Sequence, residues 1–252
     1  MENLILIFNT YFDIIFARNP SATVEMAIAL TFCTFFLIYL IVVVPAYFLS
    51  KYLSTQNQLS HRKLHPQQVK KELVSSFLSI TMFSILGGIA FYLFKAQWLT
   101  VTGSVSFTRW IGEVFLLYIW NEVHFYISHR ALHTRWLYRH VHIEHHRSVR
   151  VTPLSTWRFH WFEALLLGSV LPLALVFHAF SVWSLMMLPL ISITWNIIGH
   201  SNWKTRLPFI GNASKQHELH HNKLNGNYGF STMLIDKLFG TRIEKFDNPS
   251  VQ

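Results

Sequence analysis

The chain has 252 residues, of which 52% are hydrophobic and only 13% are charged, and this excludes an ordinary soluble domain of that length and indicates a membrane protein. Its net charge of +9 is dispersed among hydrophobic segments rather than gathered in a polar domain, so we expect no nucleic acid partner. The single cysteine, Cys33, lies in an apolar run, which excludes a disulfide framework and a cysteine-based metal site.

The first part of the chain predicts one interfacial helix, one membrane span and a basic connection. Residues 1–24 begin with an apolar, aromatic patch without a basic cluster or cleavage pattern, which favours an interfacial helix over a cleaved signal peptide. Residues 26–49 are uncharged and long enough to cross about 30 Å of hydrocarbon, and Pro45 should kink their end. Residues 51–71 contain basic but no acidic side chains, which predicts a cytosolic connection with His61 and His65 at its surface.

Two further apolar segments follow this connection. Residues 74–94 predict a second span, in which Gly87 and Gly88 allow a neighbouring helix to approach closely. Residues 110–128 predict a third apolar helix, but its cytosolic end contains Asn121, Glu122 and His124. Polar groups at such depth are costly unless they face a polar interior, so these side chains indicate a functional site.

The last part of the chain predicts a membrane hairpin and a polar cap. Residues 163–177 and 182–198 are apolar but short, so they form either two spans or a hairpin that dips into the membrane. Residues 199–252 are polar and predict a cytosolic cap. The segments 51–71, 130–158 and 204–245 hold five, six and seven Lys and Arg residues, and the positive-inside rule places all three on the cytosolic face.

These elements predict an all-α fold. We expect a multi-span transmembrane helical bundle, with about four spans or three spans plus a membrane hairpin. A histidine-rich helical cap should cover its cytosolic face.

The strongest functional signal is a set of three histidine boxes, namely HRALH at 129–133, HIEHH at 142–146 and HELHH at 217–221. Helical positions i, i+3 and i+4 share one face, so the three rings of an H-x-x-H-H box should aim at one point. Imidazole is a common ligand of iron, zinc and copper, and eight rings exceed what one tetrahedral ion takes. We therefore expect two metal ions, bound by His129, His133, His142, His145, His146, His217, His220 and His221.

Two other kinds of protein could use part of this pattern. HELHH also satisfies H-E-x-x-H, the motif of zinc proteases in which Glu218 would be the general base. A membrane-embedded zinc metalloprotease or hydrolase is therefore the alternative, although it explains one box and leaves two unused. A histidine-rich metal transporter would place its ligands at the membrane midplane, whereas these boxes fall at the interface.

The boxes, together with NKLNGNYG at 222–229 and DKLFGT at 236–241, resemble the fatty acid hydroxylase / sterol desaturase superfamily of integral-membrane di-iron enzymes. The resemblance covers residues 121–242, and the strings HFYISHRALH and RFHWFEAL look most like the C4-methyl sterol oxidase branch. It divides the chain into N-terminal membrane helices with their basic connection, 1–108, and a fatty acid hydroxylase-like catalytic region, 109–252.

The resemblance implies that all eight box histidines are metal ligands, and it adds His200, at the end of a membrane helix, as a ninth. Asn196 stands where some relatives have a further histidine. His124 stands where many relatives have an acid, which favours a role in orienting ligands or relaying protons over metal binding. His160 is a similar candidate and His140 a minor one, whereas His178 should lie on the far side.

Carboxylates are expected to support the metal ligands by accepting N–H bonds from their rings, which orients the rings and raises their basicity. Those within reach are Glu122, Glu144, Glu218 and Asp236. The candidate catalytic residues outside the metal shell are therefore Glu122, His124 and Asn196.

The activity implied by the resemblance is hydroxylation or desaturation of a lipid or sterol, with two Fe ions as cofactor and O2 as cosubstrate. Zinc binds more tightly than Fe(II) and can replace it on purification. The substrate should enter from the bilayer past Phe125, Trp157 and Trp195. Two electrons should come from an external donor, such as cytochrome b5 or a ferredoxin with its reductase, on the cytosolic face of a bacterial inner membrane or the endoplasmic reticulum.

Overall fold

The backbone of an apolar chain has to satisfy its own hydrogen bonds, which helices do within one segment. The computed structural model describes residues 2–244, and most of these residues are helical. Within the described range there is no strand, and two isolated β-bridges join Gln58 to Trp203 and Thr102 to Ser181. The all-α prediction is therefore confirmed. Lys245, the last basic residue of the predicted cap, lies outside the described residues.

The N-terminal segment forms two consecutive helical rods. Helix α1, Glu2–Ile15, lies in the segment for which an interfacial helix is predicted, and its interfacial position stays a prediction. Helix α2, Val24–Ile38, continues through a π-helical turn, Tyr39–Val43, directly into α3, Val44–Leu53. Pro45 lies in the first turn of α3, where its missing N–H interrupts the α-helical bonding pattern. The proline that predicted a kink thus coincides with a local change of helix type.

Helix α4, Pro66–Lys95, packs closely along α2. The predicted role of the two glycines is confirmed, because a Cβ atom on Gly87 would lie 2.5 Å from Thr31 Oγ1. A Cβ atom on Gly88 would lie 2.6 Å from Ile28 Cγ1. Only glycine allows the two helices to approach this closely.

Helix α5 and the segment after it carry the first two histidine boxes. Helix α5, Phe107–Leu132, starts at the Ser106 cap and is longer than the predicted 110–128, so the HRALH box lies in its last turn. The predicted division between residues 108 and 109 falls in its first turn and stays a prediction. The second box lies on a short helical segment made of α6, Arg135–Leu137, a π turn, Tyr138–His142, and α7, Ile143–His146.

The C-terminal part contains the predicted hairpin and cap. Helices α8, Trp161–Gly168, and α9, Val170–Phe177, form one arm of the hairpin, and α10, Val182–Gly199, forms the other. Helix α11, Ile210–Lys223, carries the third box, and α12, Leu234–Leu238, lies against α5.

Three helical rods in the described range are long and apolar enough to cross a membrane, namely Val24–Leu53, Pro66–Lys95 and Val182–Gly199. Helix α5 is about 39 Å long at 1.5 Å per residue. It is not among these rods, and it carries Arg109, Glu113 and Glu122. The third rod with the composition of a span is therefore α10 rather than the predicted 110–128. Together with the shorter apolar stretch Trp161–Phe177, these rods identify an integral membrane protein.

A buried polar network fixes the loop that follows the second box. Glu72 of α4 is fully buried and accepts hydrogen bonds from Gln68 Nε2 at 2.7 Å, Ser148 Oγ at 2.7 Å and Thr152 Oγ1 at 2.8 Å. The Arg158 guanidinium, also buried, donates to Ser148 Oγ at 3.2 Å. A buried carboxylate is tolerated because several donors compensate its lost hydration. This network holds the chain after His146 against α4.

Candidate metal centre

The described histidines include two adjacent groups of rings. In each group one nitrogen of every ring lies within 4.8 Å of the corresponding nitrogens of the others. The first group consists of His129, His133, His142, His146 and His220. The second group consists of His145, His200, His217 and His221. The structure thus brings together all nine histidines that the sequence and the resemblance selected.

The spacing of the ring nitrogens fits metal ions. In the first group, His146 Nε2 lies 3.1 Å from His142 Nε2 and 3.3 Å from His133 Nε2. In the second group, His217 Nε2 lies 3.0 Å from His200 Nε2 and 3.1 Å from His221 Nε2. Two nitrogens that each bind one ion at about 2.1 Å are roughly 3.0 to 3.4 Å apart at octahedral to tetrahedral angles. Each group therefore has the dimensions of a coordination shell.

The two groups lie side by side, and rings that are neighbours in the sequence of a box belong to different groups. The His146 and His221 rings, one from each group, have centroids 4.5 Å apart. The prediction that the three rings of one box aim at one point was therefore wrong. Successive helical residues are rotated by about 100°, so the i and i+4 rings of a box point together while its i+3 ring points toward the other group. In the third box, His220 is the ring that separates from its neighbours.

Backbone carbonyl groups orient several of these rings through Nδ1. His129 Nδ1 lies 3.0 Å from the Tyr228 carbonyl oxygen, and His220 Nδ1 lies 2.8 Å from that of Gly226. His200 Nδ1 lies 2.8 Å from the Asn196 carbonyl oxygen. An Nδ1–H that donates to a carbonyl leaves Nε2 as the lone-pair donor, which faces the group. The NGNYG string after the third box thus supplies carbonyl acceptors.

Burial keeps the rings neutral, as metal binding requires. Desolvation, and then the neighbouring imidazoles, hold the pKa of His145, His217 and His221 well below the ordinary value. Desolvation lowers the pKa of His220 to about 4, although its bond to Gly226 opposes the shift. At neutral pH these four rings are uncharged and offer lone pairs.

Among the described residues, a carboxylate that contacts a ring of the first group was missed by the sequence reasoning. Glu163 Oε1 of α8 lies 2.8 Å from His142 Nδ1, and both residues are buried. The sequence did contain a sign of this contact. Glu163 is an acid in the apolar run FHWFEALLL, and an acid in such a run has to find a buried partner.

The carboxylates that the sequence did select have other partners. Glu122 accepts from the Ser231 amide at 3.0 Å and from Thr232 Oγ1 at 3.1 Å, and Asp236 accepts from the Tyr228 and Gly229 amides. Glu122 thus holds the C-terminal segment against α5, whereas Asp236 forms its bonds within that segment. Glu144 pairs with Arg158 at 3.0 Å and with Arg147 at 2.8 Å. The expectation that Glu122, Glu144 and Asp236 orient histidine rings is therefore wrong.

The position of Glu218 bears on the zinc hydrolase alternative. Glu218 is in neither histidine group; its Oε1 accepts from Asn222 Nδ2 at 3.0 Å, and burial raises its pKa. A general base of the H-E-x-x-H type has to reach a water on the ion that its two histidines bind. His217 and His221 instead share their group with His145 and His200. This arrangement disfavours the alternative, and it corrects the expectation that Glu218 orients a ring.

Besides His178, five histidines lie outside both groups. His124 Nε2 is 3.3 Å from Ser169 Oγ, and its ring packs beside Trp120. His160 caps α8 by accepting from the Phe162 amide. The remaining three are His140, which is exposed and contacts the Trp136 carbonyl, and the exposed His61 and His65, as predicted.

His178 and Asn196 also lie outside the groups. His178 lies 3.6 Å from Glu113 and, as predicted, is in neither group. Asn196 Nδ2 donates to the Ser192 carbonyl, and the Asn196 backbone, rather than its side chain, contacts His200. Asn196 therefore orients the His200 ring through its backbone carbonyl.

An apolar cavity of about 380 Å³ adjoins the histidine groups. Phe125 and Trp157 line it as predicted, whereas Trp195 is not among its lining residues. Phe125 packs on the His129 ring with centroids 5.0 Å apart, and Phe159, another lining residue, packs on His145 at 5.4 Å. In each group, one ring therefore packs against a residue of the cavity wall. Its far end includes side chains of α1, which sequence reasoning did not place there.

Comparison with known proteins places these features in a family context. The model of the fatty acid hydroxylase family matches residues 114–241, which contain all three boxes. A very-long-chain aldehyde decarbonylase from Oryza sativa subsp. indica is 32% identical over 157 residues, which are 58% of this chain and 59% of the relative. A methylsterol monooxygenase from Arabidopsis thaliana is 32% identical over 139 residues, 52% of each chain.

More distant similarity extends over the N-terminal helices. A Δ(7)-sterol 5(6)-desaturase from Gibberella zeae is 22% identical over 235 residues, which are 88% of this chain and 64% of the relative. The chain thus spans between about half and two thirds of the length of these relatives. No solved structure matches it.

Proposed function

Because the chain belongs to the fatty acid hydroxylase family, we propose that this membrane oxidoreductase is a di-iron oxygenase that hydroxylates or desaturates a lipid or sterol. The observation that carries the proposal is the pair of adjacent imidazole groups at the edge of an apolar cavity. A hydrocarbon chain in that cavity would lie beside Phe125 and Phe159, next to the rings. The two proposed metal ions and the bound lipid would therefore lie next to each other.

The two groups divide the proposed ligands between two ions. The first ion would be held by His129, His133, His142, His146 and His220, and the second by His145, His200, His217 and His221. Iron bound there would supply the reduction of O2 needed to attack an unactivated C–H bond. Zinc can occupy the same imidazole sites on purification, because it binds more tightly than Fe(II).

The protein's own residues would orient the ligands and keep water away. Glu163 fixes the His142 ring, and carbonyls of the NGNYG string fix His129 and His220. Aromatic side chains between the rings and the bilayer leave little space for water beside a bound hydrocarbon. The dry environment also strengthens every electrostatic contact of the site.

Electrons are proposed to come from an external acidic carrier, such as cytochrome b5 or a ferredoxin with its reductase. Arg130, Arg135 and Arg139 are exposed on and beside α6, close in sequence to the first two boxes. The exposed ring of Trp136 lies among them. Complementary charge speeds and orients the docking of such carriers. We place this surface on the cytosolic face of a bacterial inner membrane or the endoplasmic reticulum.

The test is a measurement of metal content and lipid products. Protein reconstituted with Fe(II) should hold two ions per chain, and cells that express it should show a lipid gaining one oxygen or losing two hydrogens. Labelled O2 separates the two reactions, because only hydroxylation leaves the label in the lipid.

Variants make the test specific to the groups. His145→Ala should reduce iron toward one ion per chain and abolish product, whereas the exposed control His140→Ala should retain both. Wild-type protein with a single ion per chain, or a fully active His145→Ala variant, would refute the di-iron assignment. Glu218→Gln should only weaken the oxygenase, whereas a zinc hydrolase would lose all activity.

A further inference from the structure

A second cavity, of about 670 Å³, lies at the end of the bundle where the basic connection follows α3. Its wall is formed by the end of α3, the connection with the first turn of α4, the loop after the second box and the turn after α10. It shares no lining residue with the apolar cavity. Sites for small ligands have volumes of roughly 300 to 1,000 Å³, so this cavity could hold a ligand or the headgroup of a lipid.

Buried hydrogen bonds hold the segments of this wall in place. The Asn202 side chain accepts from the Ser60 amide at 2.8 Å and donates to the Ser60 carbonyl at 3.1 Å. Ser50 Oγ donates to a carbonyl of the turn after α10, and Thr152 Oγ1 donates to Glu72 at 2.8 Å. The cavity is therefore a preformed part of the fold, as binding sites usually are.

Three cationic side chains and no carboxylate line this second cavity, and the cations are Lys51, Lys63 and Arg150. In the part of the chain that the structure describes, the two ammonium groups make no hydrogen bond or ion pair. Of the five N–H donors of Arg150, two are used, by the Arg62 carbonyl at 3.3 Å and by Gln58 Oε1 at 3.4 Å. Like charges around one cavity repel each other, so an anion bound between them would stabilise the protein.

The buried carboxylates near this wall leave the two ammonium groups without a counter-charge. Glu72 and Glu218 are fully buried and do not line the cavity. Glu72 already accepts from three hydroxyl and amide donors. Glu218 interacts electrostatically with Arg62 and Arg150. One carboxylate thus faces two guanidinium groups, and the cavity keeps a positive charge.

Exposed apolar side chains continue from the cavity along both helices, toward the middle of the predicted spans. Phe48 precedes the lining residue Lys51 by three positions on α3, and Leu73 follows the lining residue Val69 by four on α4. Each pair therefore shares one helix face. Phe48 is 61% exposed and Leu73 is 43% exposed. Tyr52, beside Lys51, is also exposed, as is typical of aromatic residues at the level of the lipid headgroups.

We propose that this cavity binds the phosphate of an anionic membrane phospholipid, whose acyl chains lie along the faces of Phe48 and Leu73. Lys51, Lys63 and Arg150 donate to the phosphate. A zwitterionic headgroup fits less well, because it brings a further cation among these cations. The bound phosphate would join the end of α3, the basic connection and the loop after the second box, and it would thereby stabilise the cap. The site requires no assumption about the reaction at the metal centre.

The experiment measures lipid retention and thermal stability of the full chain in a neutral detergent. The probes are dioleoyl phosphatidylglycerol, dioleoyl phosphatidylcholine with the same acyl chains, and inorganic phosphate. Native mass spectrometry should show one phosphatidylglycerol retained per chain under conditions that remove phosphatidylcholine. Phosphatidylglycerol should also raise the melting temperature, because a ligand of the folded state stabilises it. Inorganic phosphate should have no such effect, since it lacks the acyl-chain contacts.

The double variant Lys51→Gln/Lys63→Gln removes two cations from the cavity. It should bind phosphatidylglycerol roughly tenfold more weakly, because two charge-assisted hydrogen bonds are lost. Without lipid, its melting temperature should equal or exceed that of the wild type, because the repulsion between the cations is reduced. The matched control Lys70→Gln/Lys71→Gln removes the same charge from exposed positions of α4 that do not line the cavity, and it should bind like the wild type.

An equal loss of phosphatidylglycerol affinity in both double variants would overturn the site in favour of a general attraction to the basic surface. Equal retention of the two lipids by the wild type would overturn it as well. So would a lower melting temperature of lipid-free Lys51→Gln/Lys63→Gln, because the two lysines would then have structural partners. Stabilisation by inorganic phosphate equal to that by phosphatidylglycerol would assign the cavity to a soluble phosphate and refute the lipid.

Discussion

His145 and His146 are neighbours in the chain, yet their rings belong to different histidine groups. The same separation occurs between His220 and His221 in the third box. A single H-x-x-H-H box is thus shared by both proposed ions, and neither group is assembled from one box alone. Two such boxes, placed face to face, hold the two groups in contact.

Glu163 shows how a single residue outside the boxes can control the site. Its carboxylate accepts from His142 Nδ1 at 2.8 Å in a buried setting. Glu163→Gln keeps the volume but removes the charge, so it should weaken metal binding about 10- to 100-fold. The measurement is a titration of apo-protein with Fe(II) against a competing chelator.

Glu113→Gln is the matched control, because Glu113 is also a buried carboxylate but bonds to Arg109 and the Ser181 amide. Its metal affinity should equal that of the wild type. Identical affinities for Glu163→Gln and Glu113→Gln would show that the carboxylate at 163 does not tune the ligand.

At the scale of the helices, the contact between α2 and α4 forms one wall of the bundle. Aromatic side chains such as Phe35 and Phe83 pack on Trp157 beside the cavity, with ring centroids 5.8 and 5.6 Å from it. The spacing of the two helices therefore sets the width of the cavity. That spacing depends on the absence of a side chain at Gly87.

Gly87→Ala should destabilise the protein by about 1 to 2 kcal/mol, because overpacking outweighs the gain in helix propensity. Gly112→Ala on α5 is the control, since its new methyl group would meet no atom within 4 Å. It should be neutral or stabilise by up to about 1 kcal/mol. Thermal unfolding in detergent compares the two variants, and equal melting temperatures would argue against the close contact.

At the scale of the molecule, backbone contacts define two ends of the bundle. At one end the connection after α3 meets the segment after α10, because Leu59 N bonds to the Asn202 carbonyl and Lys204 N to that of Asn57. At the other end, Thr102 N, in the turn between α4 and α5, bonds to the Phe180 carbonyl, in the turn between α9 and α10. The basic connection and the histidine cap therefore share one end.

This arrangement predicts how cysteine probes label in sealed vesicles. In a Cys33→Ser background, Gln56→Cys and Lys215→Cys should react with an impermeant thiol reagent from the same side. Gly103→Cys should react only from the opposite side, since it lies in the turn near Thr102. All three positions are exposed. Labelling of Gly103→Cys together with the other two would contradict the topology.

The sequence by itself determined the all-helical class, the membrane setting, the family and the nine histidines that converge. These follow from composition, hydrophobic run length and motif spacing, which are local properties of the chain. The close contact between helices at Gly87 and Gly88 could likewise be predicted, because few other features require a glycine pair inside a span.

Only the tertiary structure decided which rings share a group and which side chains support them. Box spacing fixes the angle between rings on one helix but not the direction of the opposing helix, so which rings of different boxes share a group was not predictable. The pairing of His142 with Glu163, and the engagement of Glu122 by Ser231 and Thr232, join residues far apart in sequence. Such partners depend on how the helices pack.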